Sequence, residues 1–196
     1  MIGILGGIGS GKSSVVRHVR NRSLQFIDAD RIGHDLLHDA TIQQQIRQQF
    51  GNSVFTSPDI IDRKQLAQLV FGDSPQHAQN LDKLNSILHP AIRSAIHQQI
   101  DEAAADTEAI ILDAALLLEG GWDRVCRHLI FIDTPVAIRQ QRVQQNRGWS
   151  PHELTKREAT QWPIERKRRL ADFVVDNSGS LDSAARQMEQ IFQSIL

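Results

Sequence analysis

Short apolar runs alternate with helix-spaced apolar positions along this chain. Residues 1–5, Met1-Ile2-Gly3-Ile4-Leu5, form a compact apolar run that reads as a strand, and Val15, Val16 and Val19 follow at helical spacing. Residues 23–30 read as a second strand ending in two aspartates, Asp28 and Asp30. Alternation would put both on one side of it. Ile42, Ile46 and Phe50 predict a helix over about 41–50, stopped by Gly51. Residues 62–104 carry three helical stripes: Leu66, Leu69 and Val70; Leu81, Leu84 and Leu88; Ile92, Ile96 and Ile100. Breaks are expected at Gly72-Asp73-Ser74-Pro75 and at His89-Pro90, because a residue before proline is pushed out of the helical region. Strand character returns at 108–113, 129–133 and 173–176. A Gln- and Arg-rich helix starts at Pro135 and ends at Asn146-Arg147-Gly148. Ser150-Pro151-His152-Glu153 has the form of a capping box opening another helix. A basic helical stretch covers 163–171 and a closing helix 181–195.

Strands alternating with helices predict an α/β fold: one domain over 1–196, with a five-stranded parallel sheet flanked by helices. The core is expected over 1–54, 105–138 and 170–196, with a helical lobe inserted at about 55–104 and a lid at about 139–169. Ligands of such sheets bind beyond the carboxyl ends of the strands. Asp28, Asp30, Asp113, Asp133 and Asp176-Asn177 all fall at or near such ends.

Between the first strand and its helix lies Gly6-Gly7-Ile8-Gly9-Ser10-Gly11-Lys12-Ser13, which fits G-x-x-x-x-G-K-[ST], the phosphate-cradling P-loop. Glycine permits positive φ and close backbone approach. The loop N–H groups and the helix N-terminus then favour anionic oxygens. Lys12 would reach the β/γ-phosphates and Ser13 would hold Mg²⁺.

The composition adds limits. The 196 residues carry a formal net charge of −1, with 40% hydrophobic and 23% charged residues, so no global basic field points to nucleic acid. Cys126 is alone, which forbids an internal disulfide and fits a reducing compartment. No apolar run approaches the ~20 residues of a membrane span. No basic segment precedes a long apolar stretch, so no leader is expected. A cytoplasmic monomer is the expectation.

Phosphoryl transfer needs positioned phosphates, neutralised charge and an oriented nucleophile. Asp28 and Asp30 are candidates to orient an acceptor hydroxyl; alternatively they cap the next helix or hold Mg²⁺ through water. Asp113 ends a strand resembling Walker B and would assist Mg²⁺, or serve only the turn. Arg139, Arg142, Arg147, Arg157, Arg166, Lys167, Arg168 and Arg169 concentrate positive charge that would neutralise a transferring phosphoryl group. Any single one of them also fits a solvated helix face. His89 could touch a substrate phosphate or be structural, and Arg63 could anchor an anion or lie on the surface. Cys126 reads as a small buried side chain, and Trp122, Trp149 and Trp162 are too scattered for a base-stacking platform.

Taken together these residues resemble the dephospho-coenzyme A kinase family over almost the whole chain. The resemblance rests on the P-loop, on Asp28-Ala29-Asp30, and on Asp62-Arg63 with Leu66 and Val70-Phe71. It continues through His89-Pro90, Asp113-x-x-Leu116-Leu117-x-Glu119, Arg157-x-x-x-Gln161, Lys167-Arg168 and Ala171-Asp172-x-Val174-Val175-Asp176-Asn177-x-Gly179. It implies ATP-dependent phosphorylation of the ribose 3′-hydroxyl of dephospho-CoA. Asp30 would be the base and Asp28, Arg63 and His89 would lie on the acceptor side. Gly7, Ile8, Gly9, Ser10, Gly11, Lys12, Ser13 and Ser14 would hold ATP with Mg²⁺. Arg142 or Arg147 would close onto the phosphates, and Asn177 would lie near adenine. Ala115 stands where the family's D-x-P-L-L pattern has proline, and Arg142-x-x-x-x-Arg147 is spaced one residue differently from the family's lid arginines. The rival readings are another P-loop small-molecule kinase, such as one for nucleoside monophosphates, and a non-catalytic nucleotide-binding switch. No N-K-x-D segment for guanine is present.

Overall fold

The computed structural model describes residues 1–196 apart from Asn21 and Asp73. The chain opens with β1 (Ile2–Leu5), α1 (Lys12–His18), β2 (Leu24–Asp28), α2 (Ala29–Leu36), α3 (Ala40–Phe50), β3 (Phe55–Ser57), β4 (Ile60–Ile61), α4 (Arg63–Val70) and α5 (Pro75–Asp101). It continues with β5 (Ala109–Asp113), β6 (His128–Asp133), α6 (Val136–Arg147), α7 (Pro151–Glu158), α8 (Ile164–Leu170), β7 (Phe173–Asp176) and α9 (Leu181–Ile195). Two compact units result. One comprises Met1–Asp28 with Ala103–Leu196, the other Ala29–Glu102.

The first unit is built on a five-stranded sheet in the order β2-β5-β1-β6-β7, parallel throughout. All four β1 residues are buried, as expected for a strand of a sheet covered on both faces. On one face Ile2, Ile4, Ile111, Ile130, Ile132 and Val175 pack against Val15 and Val16 of α1 and Ala184, Met188 and Phe192 of α9. Each fully buried aliphatic contributes about 1.5–3 kcal/mol. The chain moves to one side of β1 through β2 and β5, and to the other through β6 and β7. The loop after β1 therefore opens at the switch point of the topology, where such sheets bind ligands.

The second strand is shorter than the sequence pattern implies. It stops at Asp28, and Ala29, Ile32 and Leu36 open α2 at helical spacing, with Ala29 and Ile32 buried. Asp28 and Asp30 are therefore not two residues on one side of a strand. Asp28 is the last residue of β2, in register with Asp113, while Asp30 lies in the first turn of α2. A carboxylate is favoured there by the helix dipole.

In the second unit Ile42, Ile46, Val54, Ile61, Leu66, Val70 and Leu84 form the core. α2 and α3 belong to this unit, so it starts at Ala29 and not at 55, because both helices pack on α5. Asp62 caps α4, accepting from the N–H groups of Lys64 and Gln65. The break near Gly72 is present, with Asp73 itself outside the described residues; Ser74 caps α5 by a reciprocal box with His77. The break at His89-Pro90 is absent, since α5 runs unbroken through Pro90. An interior proline costs about 3 kcal/mol. Leu84, Ile92 and Ile96, each 8% exposed or less, straddle it. Their burial, at about 1.5–3 kcal/mol each, outweighs that cost.

A side chain at Gly3 would press on the ends of its neighbours' side chains. A Cβ there would lie 2.8 Å from Leu129 Cδ2 and 2.9 Å from Cys126 Sγ. Cys126 is itself half-buried, and burial pushes its thiol pKa up to about 11. Gly3→Ala is expected to overpack this contact and lower stability by about 1–3 kcal/mol in urea unfolding, with an unchanged slope; wild-type stability would contradict the packing described.

Candidate functional site

The loop between β1 and α1 turns through Gly7 and Ser10, where the Ser10 N–H donates to the Gly7 carbonyl at 3.1 Å. Gly9 and Gly11 take the left-handed region, φ 77° and 82°, where a side chain would be strained. Gly11 then caps α1, which begins with Lys12 and Ser13. The candidate residues Gly7, Ile8, Gly9, Ser10, Gly11, Lys12, Ser13 and Ser14 are thus one continuous loop and helix start, with Ser13 and Ser14 exposed and Lys12 half-buried.

The orientation of this loop is set from elsewhere in the first unit. The Ser10 carbonyl accepts three bonds: from Thr134 Oγ1 at 2.9 Å, Asn177 Nδ2 at 2.8 Å and Arg142 Nη1 at 3.1 Å. Thr134 follows β6, Asn177 follows β7, and Arg142 lies on α6. In a trans peptide the C=O and the next N–H point opposite ways. Pinning the Ser10 oxygen therefore turns the Gly11 N–H to the other side. Asn177 is 1% exposed and its amide is committed to the loop. Its own N–H donates to the Asp133 carbonyl at 2.8 Å.

Ser13 Oγ donates to Asp113 Oδ2 at 2.5 Å. Asp113 and Asp28 end adjacent strands in register, so two carboxylates share this edge of the sheet with the Ser13 hydroxyl. A hydroxyl and carboxylates form an all-oxygen donor set. That set suits Mg²⁺, which takes few protein ligands and completes its shell with water and phosphate oxygens.

The basic run of 139–169 does not behave as one solvated face. Arg139 is 5% exposed. It donates to the carbonyls of Thr134 at 3.1 Å and Ile8 at 3.3 Å, and it is paired with Glu158. Lys167, also buried, meets Glu119 at 2.9 Å, and the same carboxylate oxygen accepts from the Trp162 N–H at 2.7 Å. Arg168 faces Asp133 at 3.2 Å. Arg147 and Arg157 both stack over Trp149, 4.8 and 4.2 Å from its centroid, and Arg166 lies over Trp162. Of the two candidate phosphate-facing arginines, Arg142 is therefore on the loop, and Arg147 is on Trp149. Sequence reading missed Thr134, and it counted Arg139 only as a member of the run.

The second unit carries Asp30, Arg63 and His89. Asp30 is exposed. Arg63 opens α4, placed there by the Asp62 cap, and its Nη1 lies 2.6 Å from His34 Nε2. Guanidinium only donates, so His34 Nε2 is the acceptor. His89 is half-buried in mid-α5; burial and the charge of Arg93 push its pKa below the usual histidine value.

The dephospho-CoA kinase family model matches residues 1–183. A dephospho-CoA kinase of Carboxydothermus hydrogenoformans is 36% identical, the match covering 98% of this chain and 93% of that protein. Among solved structures, a protein of Thermus thermophilus is similar with a TM-score of 0.84 and 29% identity, over 100% of this chain and 97% of that one. A dephospho-CoA kinase of Campylobacter jejuni is similar with a TM-score of 0.68 and 25% identity, over 99% and 96%.

The environment of His89 has a measurable consequence. Its folded-state pKa lies below the unfolded value, so the unfolded chain binds the proton first and stability falls as pH drops below the ordinary value of 6.5. In an NMR titration the His89 ring should titrate with a midpoint below 6.5, and His89→Gln should lose less stability than wild type on going from neutral to acidic pH. A midpoint at or above 6.5 would refute the burial argument.

Proposed function

The chain belongs to the dephospho-CoA kinase family, and from that premise we propose that residues 6–14 hold the phosphates of ATP while Asp30, Arg63 and His89 serve the acceptor. The reaction moves the γ-phosphoryl group of ATP to dephospho-CoA, at the ribose 3′-hydroxyl, giving CoA and ADP. The observation that carries the donor assignment is the braced loop. Its Ser10 carbonyl is pinned by three donors, and its Ser13 hydroxyl meets Asp113.

Lys12 supplies a compact positive charge to the β/γ-phosphates, and the loop N–H groups bind their oxygens. Ser13 and Asp113 would hold Mg²⁺, which neutralises phosphate charge when bound. Arg142 is assigned as the cation facing the phosphates, because only one of its five N–H groups is needed for the Ser10 carbonyl and its Nη1 lies 3.1 Å from where a Gly11 Cβ would be. Arg147 is the second choice, since it is engaged with Trp149. Asn177 contributes to nucleotide binding by holding the loop.

On the acceptor side, Asp30 is assigned to take the proton of the 3′-hydroxyl as it attacks, the task of a positioned carboxylate. Its exposure at a helix start suits a group that must meet a substrate. Asp28 is assigned a supporting role at the sheet edge beside Asp113. Arg63 offers a planar fork to an acceptor phosphate, and His89, kept neutral by its surroundings, offers a hydrogen bond without charge.

The test is ADP release from ATP that depends on dephospho-CoA, with the new phosphate located on the product. A nucleoside monophosphate accepted in place of dephospho-CoA would overturn the substrate assignment. In the same assay Asp30→Asn should lower turnover by about 10²–10⁴-fold with ATP affinity retained. A rate within a few-fold of wild type would remove Asp30 from that role.

A further inference from the structure

The buried Arg139 lies outside every role assigned so far. It sits on α6 on the same stripe as Val143, the other buried residue of that helix. Its Nη1 donates both to the Ile8 carbonyl of the phosphate loop and to Glu158, the last residue of α7, while its Nε donates to the Thr134 carbonyl. Gly7 leaves room for it, since a Cβ there would lie 2.9 Å from Nη1. One planar guanidinium therefore joins three pieces of chain: the loop, the turn after β6, and the end of α7.

The consequence lies in the peptide planes. Holding the Ile8 oxygen turns the next N–H, that of Gly9, to the opposite side. Holding the Thr134 backbone steadies the residue whose hydroxyl pins the Ser10 oxygen and so turns the Gly11 N–H. Arg139 thus acts on two N–H groups of the phosphate cradle, one directly and one through Thr134. We propose that Arg139 is a positioning residue for the ATP phosphates, and that its pairing with Glu158 couples the placement of α7 to the affinity of the loop. Arginine suits the position because its rigid fork donates from two separated nitrogens at once, Nη1 to the Ile8 carbonyl and Glu158 and Nε to the Thr134 carbonyl, where lysine has a single nitrogen on a flexible stem. The proposal rests on reading residues 6–14 as the phosphate site.

The decisive variants are Arg139→Lys and Glu158→Gln. Each is measured by steady-state kinetics and by direct titration with a fluorescent ATP analogue, at a temperature where circular dichroism shows it folded. Arg139→Lys keeps the charge and the pairing with Glu158 but loses the bridge. It should weaken the analogue and raise KM for ATP by about tenfold or more, with KM for dephospho-CoA within about twofold of wild type. Glu158→Gln should shift the same two quantities in the same direction by a smaller factor, and the double variant should fall short of the product of the single effects. Analogue affinity and KM for ATP within about twofold of wild type in both single variants would overturn the proposal. Equal rises in both KM values would also overturn it, because they mark general loosening, and so would a fall in kcat alone, because it leaves ATP binding untouched. Should Arg139→Lys not fold, Glu158→Gln decides by the same limits. Failure of wild type to transfer phosphate to dephospho-CoA would count against the assigned reaction, and the analogue titration would still test Arg139.

Discussion

One carbonyl oxygen, that of Ser10, fixes the glycine-rich loop after β1. Its donors lie 124, 132 and 167 residues along the chain, and only the assembled sheet gathers them. β1 lies in the middle of five parallel strands, so the turns after β6 and β7 emerge at the same edge as the loop after β1. The cradle is therefore a product of the sheet, and a glycine-rich segment alone would not hold it. Ser10 Oγ and Asn177 Oδ1 are buried with no hydrogen-bond partner among the described residues.

The helical unit solves a different problem. The residues proposed for the acceptor side sit on its helices and not on loops: Asp30 in the first turn of α2, Arg63 at the first position of α4, and His89 in mid-α5. Helix-borne side chains hold their direction better than loop-borne ones. The Asp62 cap fixes where α4 starts and hence where Arg63 points from. The continuity of α5 through Pro90 puts His89 on a rigid rod, with buried leucine and isoleucine on both sides of the proline. The same burial that keeps the helix intact also desolvates the ring and disfavours its charged form.

Much of this was legible in the sequence, for physical reasons that also explain the gaps. Buried parallel strands read as continuous apolar runs, so all five strands of the sheet were visible, and the glycine-lysine-serine spacing marked the loop. α2 was hidden because it starts directly after β2, with no turn residue between them, so Asp30 read as the end of a longer strand. The break at Pro90 was a sound local inference overridden by packing on both sides. The β3–β4 hairpin went unseen because β4 is two residues long. Arg139 was hidden by its type: a buried arginine has the same letter as a surface one, and its partner Glu158 lies on another helix, 19 residues on. One signal was available. Arg139 and Val143 are four apart, so the arginine occupies the apolar stripe of an otherwise polar helix.

That stripe also separates the arginines of α6 by geometry. Arg142 lies three residues from Arg139, close to the same side of the helix, and both reach the loop. Arg147 lies five residues beyond Arg142, about 140° around the axis at 3.6 residues per turn, and it turns to Trp149 instead. Charge near the loop is thus decided by helical phase and not by how many cations the segment carries. Lys167, which meets Glu119 and the Gln161 amide, shows the complement. Lys167 serves its two acceptors from one nitrogen, whereas Arg139 joins a loop, a turn and a helix end through two nitrogens of one rigid plane.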